Sequence, residues 1–352
     1  MSINQALLSI LMPAYNVEKF VSQSIRSVLD QKYQNFELII VDDCSTDNTL
    51  GEIIKFKDSR IKLLKNQQNS GVSQTRNKLL DSANGKYIAF LDADDLCHKD
   101  RFIHQIAFLE KNLDYGLIGS KLRYINENGE SLWLRVADKV FNWREIQSEL
   151  LFNNVLSTST VTFRNQIIDH LKNDLVHDIA EDYYMWSQLS IKGIKMSSLN
   201  EDLVKYRVRN SGSTNVHYNK LKQSFDLIHT SLLNNVGVHV SQSVLNVHNA
   251  LLTPLQSFDL NLLTSNPQHY KNIIDANSTT QIYSRTHLLK SIRKNWFIKC
   301  RRSLKSKGFQ VLYTYIYKFN YHNITSCYRL LYLTLFLIFY KIKAFDRKAK
   351  SF

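Results

Sequence analysis

Three carboxylates stand within four residues in the segment FLDADDL, directly after an apolar run. They are Asp92, Asp94 and Asp95. Like charges this close repel one another and strongly favour a counter-charge. Hard oxygen ligands of this kind select Mg²⁺ or Mn²⁺ over Zn²⁺. The segment therefore indicates a site for a divalent cation, although acidic triplets are also common on protein surfaces.

The elements that would position this cluster can be read from the first 125 residues. Short apolar runs predict strands at 7–12, 36–41, 61–64 and 87–91, and helical spacing predicts helices at 17–29, 49–56 and 71–80. The alternation predicts an α/β domain with a largely parallel sheet covered on both faces. Ligands of such sheets bind beyond the carboxyl ends of the strands. The clusters Pro13-Ala14-Tyr15-Asn16 and Asp42-Asp43-Cys44-Ser45 also follow strands, so they should meet FLDADDL there.

The pattern changes in the later part of the chain. We predict a hairpin from 117–124 and 131–135, strands at 158–163 and 204–208, and a helix at 182–191. Beyond about residue 218 the pattern is mostly helical. We therefore predict an α/β domain that contains the active site over residues 1–217, and an α-helical C-terminal region over 218–352.

Basic charge is concentrated at the C-terminal end. The chain carries a net charge of +14, and residues 285–352 contain 16 Lys and Arg against one acidic residue, Asp346. Leu288, Ile292 and Trp296 recur every four residues, which predicts a basic amphipathic helix suited to an anionic membrane surface. The alternative is that this helix packs on the preceding domain and its lysines are solvated. No nucleic-acid motif accompanies the charge, so we expect no nucleic-acid partner.

Cysteine usage and hydropathy bear on the compartment. Cys44, Cys97, Cys300 and Cys327 show no CxxC spacing, which argues against a zinc site or a disulfide framework. Scattered thiols favour a reducing compartment. No run reaches the roughly 20 apolar residues of a membrane span, and no signal peptide is recognisable. The expectation is a cytoplasmic protein, peripheral on the inner face of the cell membrane.

Several ordered motifs carry a resemblance to a known family. The segments LLSILMPAYNVEKF, FELIIVDDCSTDNT, NSGVSQTRNKLLDSANGKYIAFLDADD and AEDYYMWSQL resemble the family 2 glycosyltransferases over roughly residues 7–210. The resemblance implies the GT-A fold, a nucleotide-sugar donor such as UDP-hexose or UDP-N-acetylhexosamine, a divalent metal, and inversion at the anomeric carbon. It also implies a glycan or lipid-linked glycan acceptor in the synthesis of bacterial surface polysaccharide or lipopolysaccharide.

The resemblance assigns donor-binding roles to particular residues. Tyr15 would stack on the nucleobase, unless it is only a packing residue. Asp43 would accept a hydrogen bond from the uracil N–H, unless it is only a helix N-terminal charge. Arg76 would pair with phosphate or with Asp92. The other residues expected to line the donor site are Pro13, Asn16, Glu18, Ala93 and Asp94.

The metal and the general base are assigned in the same way. Asp94 is expected to bind Mn²⁺ or Mg²⁺ directly, while Asp92 contacts the ribose or the metal through water. Asp95 could instead cap the following helix. Asp182 is the expected base that takes the proton of the acceptor hydroxyl, and Glu181 is the next candidate.

The chain departs from the family pattern at one position. Many relatives carry His in a pattern like YRxH, whereas residues 206–209 read YRVR. Arg209 cannot be a neutral metal ligand. It could bind the pyrophosphate directly.

Two other functions are compatible with parts of the sequence. A sugar-phosphate nucleotidyltransferase would also use paired acids on an α/β sheet, but MPAYNVEKF lacks the glycines of its phosphate loop. A non-catalytic membrane-docking protein could keep a decayed sugar-nucleotide domain, but intact Asp94 and Asp182 argue against decay.

Overall fold

The computed structural model describes residues 6–132, 142–172, 179–209, 218–250 and 260–307. The chain divides into two units between Ser224 and Phe225. The first contains the sheet and the second is helical where it is described. The functional boundary predicted at 217–218 lies just before a helix that begins at Tyr218, and it stays a prediction.

The first unit is built on one mixed sheet. Its strands are β1 (Leu8–Ala14), β2 (Phe36–Asp42), β3 (Ile61–Lys65), β4 (Tyr87–Phe90), β5 (Leu96–Cys97), β6 (Tyr115–Ile125), β7 (Thr162–Arg164) and β8 (Lys195–Arg207). Among the described residues the strand order is β3-β2-β1-β4-β7-β6-β8-β5. The pairs β3–β2, β2–β1, β1–β4 and β6–β8 are parallel, and the other three pairs are antiparallel. The predicted α/β class with a mainly parallel sheet is confirmed.

Helices connect these strands in the described part of the chain. The first unit contains α1 (Val21–Leu29), α2 (Thr49–Ile54), α3 (Val72–Asp81), α4 (Arg101–Lys111), α5 (Trp143–Leu150) and α6 (Glu181–Ile191). On α1 the residues Val21, Ile25 and Val28 are fully buried, because spacing of three and four residues puts them on one face. That face belongs to the core formed with β1, β2 and β4.

Three predicted elements differ from the structure. β1 does not end at Pro13 but continues to Ala14, and Pro13 is paired with Val41 of β2. Proline is tolerated there because the pairing of β1 with β4 stops at Leu11, so no ladder bond is lost on that side. The predicted strand 158–163 is a 3-10 turn at Thr158–Thr160 followed by β7, and the predicted strand 204–208 is only the end of β8.

The predicted hairpin is present where it is described. Ile125 pairs with Ser131 in an antiparallel bridge, and Gly129 in the turn has a φ of 85°. A φ in this range is the left-handed region that glycine adopts without steric cost. Residues 133–135 of the hairpin lie outside the described residues.

The second unit contains the remaining helices. They are α7 (Tyr218–Asn235), which begins before the division, α8 (Gln242–His248), α9 (Leu260–Thr280) and α10 (Arg285–Lys307). On α10 the side chains of Leu288, Ile292, Trp296 and Cys300 are all buried, and α10 packs against α9. The predicted apolar stripe therefore lies in the core of the helical unit. No helix in the described ranges has both the length and the hydropathy needed to span a bilayer.

Candidate active site

The carboxyl ends of β1 and β2 carry loops that hydrogen bonds join together. Asn16 Oδ1 accepts from the backbone N–H of Thr46 at 2.9 Å, and Glu18 Oε2 accepts from that of Asn48 at 2.8 Å. Asn16 lies in the left-handed region with a φ of 48°, which Asn tolerates better than most residues. Tyr15 is 42% exposed beside them. Its ring is open to stacking, whereas Asn16 and Glu18 hold the two loops in place.

Asp43 fixes the loop that leads into α3. Its Oδ1 accepts from Asn66 Nδ2 at 2.7 Å and from Ser70 N at 2.8 Å, and its Oδ2 accepts from Gly71 N at 2.9 Å. Gly71 has a φ of 83°, so a side chain at that position would strain the turn. The carboxylate of Asp43 therefore has a structural role, and its role as reader of the uracil ring stays a prediction.

Three hydrogen bonds stabilise the turn that carries the acidic cluster, two of them to other segments and one within the turn. Ser24 Oγ donates to Ala93 O at 2.8 Å, Asp92 N donates to Ser159 Oγ at 3.1 Å, and Asp95 N donates to Asp92 O at 3.0 Å. Capping of the next helix, the alternative considered for Asp95, is not observed, because Asp95 Oδ1 accepts from Arg207 N at 2.8 Å. The next helix, α4, begins at Arg101.

Arg76 joins the acidic cluster to α6. Its Nη2 lies 3.1 Å from Asp92 Oδ1, and its Nη1 contacts the carboxylate of Glu181. The side chain is buried, and burial alone would lower its pKa, but Glu181 and Asp92 raise the pKa of Arg76 above its ordinary value. The geometry agrees with the predicted Arg76–Asp92 pair. It also shows that Glu181 is engaged by a fixed guanidinium.

Asp182 stands at the start of α6 with both oxygens in contact with donors. Oδ2 accepts from Asn154 Nδ2 at 2.8 Å, and Oδ1 accepts from Tyr183 N at 2.7 Å. Burial and the neighbouring Glu181 raise the pKa of Asp182 to about 7, against the opposing effect of Arg76. Ala180 precedes the pair with a φ of 63°. Backbone strain of this kind in a non-glycine residue is concentrated at functional sites.

Two arginines, one at the end of β8 and one just after it, complete the site, and no local sequence pattern predicts their contacts. Arg209 Nε lies 2.7 Å from Asp94 Oδ2. Arg207 Nε donates to the backbone carbonyl of Asp94 at 2.8 Å. Burial raises the pKa of Asp94 to about 6, with Arg209 opposing it, and burial also raises the pKa of Asp95 well above its ordinary value.

The charges of this site do not balance. The carboxylates are Asp92, Asp94, Asp95, Glu181 and Asp182, and the facing guanidiniums are Arg76, Arg207 and Arg209. Burial is the main cause that raises the pKa values of Asp94, Asp95 and Asp182, and repulsion between neighbouring carboxylates adds to it. The acidic groups offer only oxygen ligands, so the set suits Mg²⁺ or Mn²⁺.

The described residues do not by themselves supply a complete set of metal ligands. Within the described ranges no group of three or more His, Cys, Asp and Glu side chains is arranged to hold a metal ion. Mg²⁺ in proteins is commonly bound by one or two carboxylates together with substrate phosphates. Asp94 and Asp92 fit that pattern, and the remaining ligands would come from the donor and from water.

A cleft lies beside Arg209, at the ends of β1 and β2. It has a volume of about 170 Å³. Its lining residues are Asn16, Val17, Glu18, Lys19, Phe20, Asp47, Glu127 and Arg209. Two of the predicted donor-site residues, Asn16 and Glu18, thus share one cleft with Arg209.

Comparison with known proteins gives a consistent picture. Residues 9–172 match the family described as glycosyl transferase family 2. A glucosyltransferase of Escherichia coli named UDP-Glc:alpha-D-GlcNAc-diphosphoundecaprenol beta-1,3-glucosyltransferase WfgD is 35% identical over 224 residues, which are 63% of this chain and 85% of the relative. The putative teichuronic acid biosynthesis glycosyltransferase TuaG of Bacillus subtilis is 33% identical over 215 residues, 59% of this chain and 82% of the relative.

A solved structure shows the same fold. The crystal structure of Staphylococcus aureus TarS 1–349 in complex with UDP-GlcNAc has a TM-score of 0.57 and 18% identity, and the match covers 86% of this chain and 92% of that one. At this identity the likeness concerns the fold alone. It confirms the GT-A architecture implied by the sequence motifs.

Proposed function

Because the chain belongs to glycosyl transferase family 2 and is a glycosyltransferase, we propose that it moves a hexose or N-acetylhexosamine from a UDP-sugar to a lipid-linked glycan. The name of the WfgD relative states a UDP-glucose donor and an undecaprenol-linked GlcNAc acceptor for that protein. The observation that carries the proposal is the Arg76 bridge. It joins Asp92 of the acidic cluster to Glu181, next to the carboxylate of Asp182.

The reaction is a single displacement. The acceptor oxygen attacks the anomeric carbon from the face opposite the UDP, and the bond to the UDP oxygen breaks as the new glycosidic bond forms. Asp182 takes the proton of the acceptor hydroxyl. A carboxylate with a pKa near 7 is a stronger base than an ordinary Asp, and about half of it is ionised at pH 7. Glu181 is less suited to this role, because its carboxylate already pairs with Arg76.

We also propose that transfer depends on a divalent cation, held by Asp94 with Asp92 in support. The excess of carboxylates over guanidiniums and the all-oxygen ligand set support this assignment. A bound cation would offset the negative charge on the departing UDP.

A further part of the proposal concerns location. We propose that residues 285–352 bring the enzyme to an anionic membrane surface on the cytoplasmic side, where a lipid-linked acceptor would be found. The support is the charge of this segment, 16 basic residues against one acidic residue. The burial of Trp296 and Ile292 means that their face of α10 is not the docking surface.

The two alternative functions are weaker. Family membership favours glycosyl transfer over nucleotidyl transfer, and no glycine-rich phosphate loop follows β1. A decayed, non-catalytic domain is disfavoured because the Arg76 bridge, Asp94 and Asp182 are all in place.

The test is UDP release from a panel of UDP-sugars by the purified chain. We expect one donor to be hydrolysed, to raise the melting temperature with Mn²⁺, and to react faster with a lipid-linked acceptor. EDTA or Asp94→Ala should abolish release, whereas Asp114→Ala, at an exposed pair with Lys195, should not. Full activity in EDTA would contradict the metal assignment. Failure to bind any nucleotide-sugar would contradict the function.

A further inference from the structure

The side chain of Arg209 forms an ion pair with Asp94, the carboxylate that is proposed to bind the metal. Its Nε contacts Asp94 Oδ2 at 2.7 Å, and the two side chains keep 23% and 15% of their surface exposed. Its Cζ lies 5.9 Å from the centre of the Phe20 ring, a distance at which the cation attracts the ring face. A cation of this chain is thus paired with one oxygen of Asp94.

The side chain of Arg209 borders an open cleft of about 170 Å³. Arg209 and Lys19 are the cations that line it, and Glu18, Asp47 and Glu127 are its carboxylates. Glu18 and Asp47 already accept hydrogen bonds from the backbone N–H groups of Asn48 and Thr49. The closest contact of Arg209 with Asp94 is through Nε. The guanidinium carries five N–H donors in a planar fork, and this fork matches phosphate oxygens in bidentate geometry.

Arg207 offers an internal comparison. It is 3% exposed, and its side chain donates to Asp94 O, Glu127 O, Asn126 O and Gln23 Oε1 at 2.8 to 3.2 Å. It is therefore locked in place. Arg209 is partly exposed and pairs with a side chain, so it is the arginine that can exchange its partner.

Resting on the proposed function, we infer that Arg209 competes with the divalent cation for Asp94 and makes cation binding depend on the donor. Without donor, the guanidinium holds Asp94. A donor diphosphate in the cleft binds the guanidinium fork and draws it from the carboxylate. Asp94 is then open to the cation.

The electrostatics favour this exchange. A carboxylate oxygen that accepts from a guanidinium at 2.7 Å cannot bind a divalent cation on the same side, because the two positive charges repel strongly at contact distance. A diphosphate carries more negative charge than one carboxylate and offers paired oxygens, so it is the better partner for arginine. By linkage, the cation must in turn strengthen donor binding.

The first experiment measures Mn²⁺ binding without nucleotide, by the loss of the free Mn²⁺ signal in electron paramagnetic resonance. We expect weak binding by the wild type and at least ten-fold tighter binding by Arg209→Gln, which removes the competing charge. Arg209→Lys keeps the charge and should bind Mn²⁺ as weakly as the wild type. Adding Asp94→Asn to Arg209→Gln should cancel the gain. Equal Mn²⁺ affinity of the wild type and Arg209→Gln would overturn the inference.

The second experiment measures UDP and uridine binding by calorimetry in EDTA. We expect Arg209→Gln to lose at least ten-fold in UDP affinity and to keep its affinity for uridine, which has no phosphate. Arg123→Gln removes an exposed arginine that pairs with Asp202 and should change neither measurement. Unchanged UDP affinity in Arg209→Gln would overturn the inference. If the wild type binds UDP and transfers sugar while Arg209→Gln behaves identically, only the role of Arg209 fails, and the proposed function stands.

Discussion

At the scale of single residues, Asp182 is the proposed general base, and a substitution tests that role directly. Asp182→Asn keeps the shape of the side chain and its contact with Asn154, but it cannot accept a proton. We expect kcat to fall by roughly 10² to 10⁴, the usual contribution of a general base. UDP affinity, measured by calorimetry, should change little. A variant that keeps its kcat but loses UDP binding would show that Asp182 belongs to the donor site.

The pH dependence gives an independent test of the same residue. Burial and Glu181 raise the pKa of Asp182 to about 7, and the base acts in its ionised form. The value of kcat/KM for the acceptor should therefore rise with pH through about 7 and level off above it. Asp182→Asn should lose this rise. A wild-type profile that is flat between pH 6 and 8 would contradict the assignment.

Residues separated by a short distance in sequence were easier to predict than distant partners. The acidic cluster, Arg76 and the Glu181–Asp182 pair were found because each belongs to a local motif. The contacts of Asn154 with Asp182 and of Arg209 with Asp94 were not predicted, because they depend on how β8 and the turn before β7 are placed. No local pattern encodes such a contact. Arg209 drew attention only as a departure from a family motif.

At the scale of elements, the strands of the parallel half were predictable because they are buried on both faces and read as apolar runs. The segment at Thr158–Thr160 was misread, since β-branched residues favour a strand in isolation. Here they form a 3-10 turn that places Ser159 against the backbone of Asp92. The tertiary contact outweighs the local preference.

At the same scale, the helical unit contains a buried lysine whose hydrogen bonds connect three helices. Lys299 on α10 is fully buried and donates to the carbonyl groups of Val247 and His248 at 3.1 Å and to Asn266 Oδ1 at 2.6 Å. These carbonyls belong to the end of α8, where helix carbonyls have no intrahelical partner. The lysine therefore ties α8 and α9 to α10.

Lys299→Met should remove all three hydrogen bonds that the buried amine donates. We expect a loss of about 2 to 4 kcal/mol in the stability of the helical unit. Hydrogen exchange of the α8, α9 and α10 amides, followed by mass spectrometry, should accelerate by roughly 30-fold or more, since each 1.4 kcal/mol is a factor of ten. Lys290→Met, at an exposed position of the same helix, is the control. Equal protection in both variants would show that the buried amine contributes little.

At the scale of the whole molecule, charge is unevenly distributed along the chain. Outside residues 285–352 the basic and acidic residues nearly balance, so the net charge of +14 comes from the C-terminal segment. The sequence revealed this asymmetry but also suggested that Trp296 would enter a membrane. That part was wrong for the described part of α10, because Trp296 is 1% exposed and is buried in the core of its own unit. An apolar stripe alone does not distinguish a lipid-facing helix from a packed one.

The membrane proposal therefore depends on electrostatics. Each Lys or Arg near an anionic surface contributes about 1 kcal/mol, and salt screens the attraction. Co-sedimentation should show the full chain binding vesicles that contain anionic lipid, weakly at high salt and not to neutral vesicles. Changing Lys290, Arg293, Arg301 and Lys305 to Gln should weaken binding to anionic vesicles by roughly two to three orders of magnitude. The matched control changes four exposed lysines of the first unit, Lys57, Lys62, Lys111 and Lys192, and should bind like the wild type.

Because the proposed catalytic residues all lie before residue 210, both variants should keep their activity on a short, soluble acceptor. Equal loss of binding in both variants would show that total charge, and not the C-terminal segment, directs the protein to the surface.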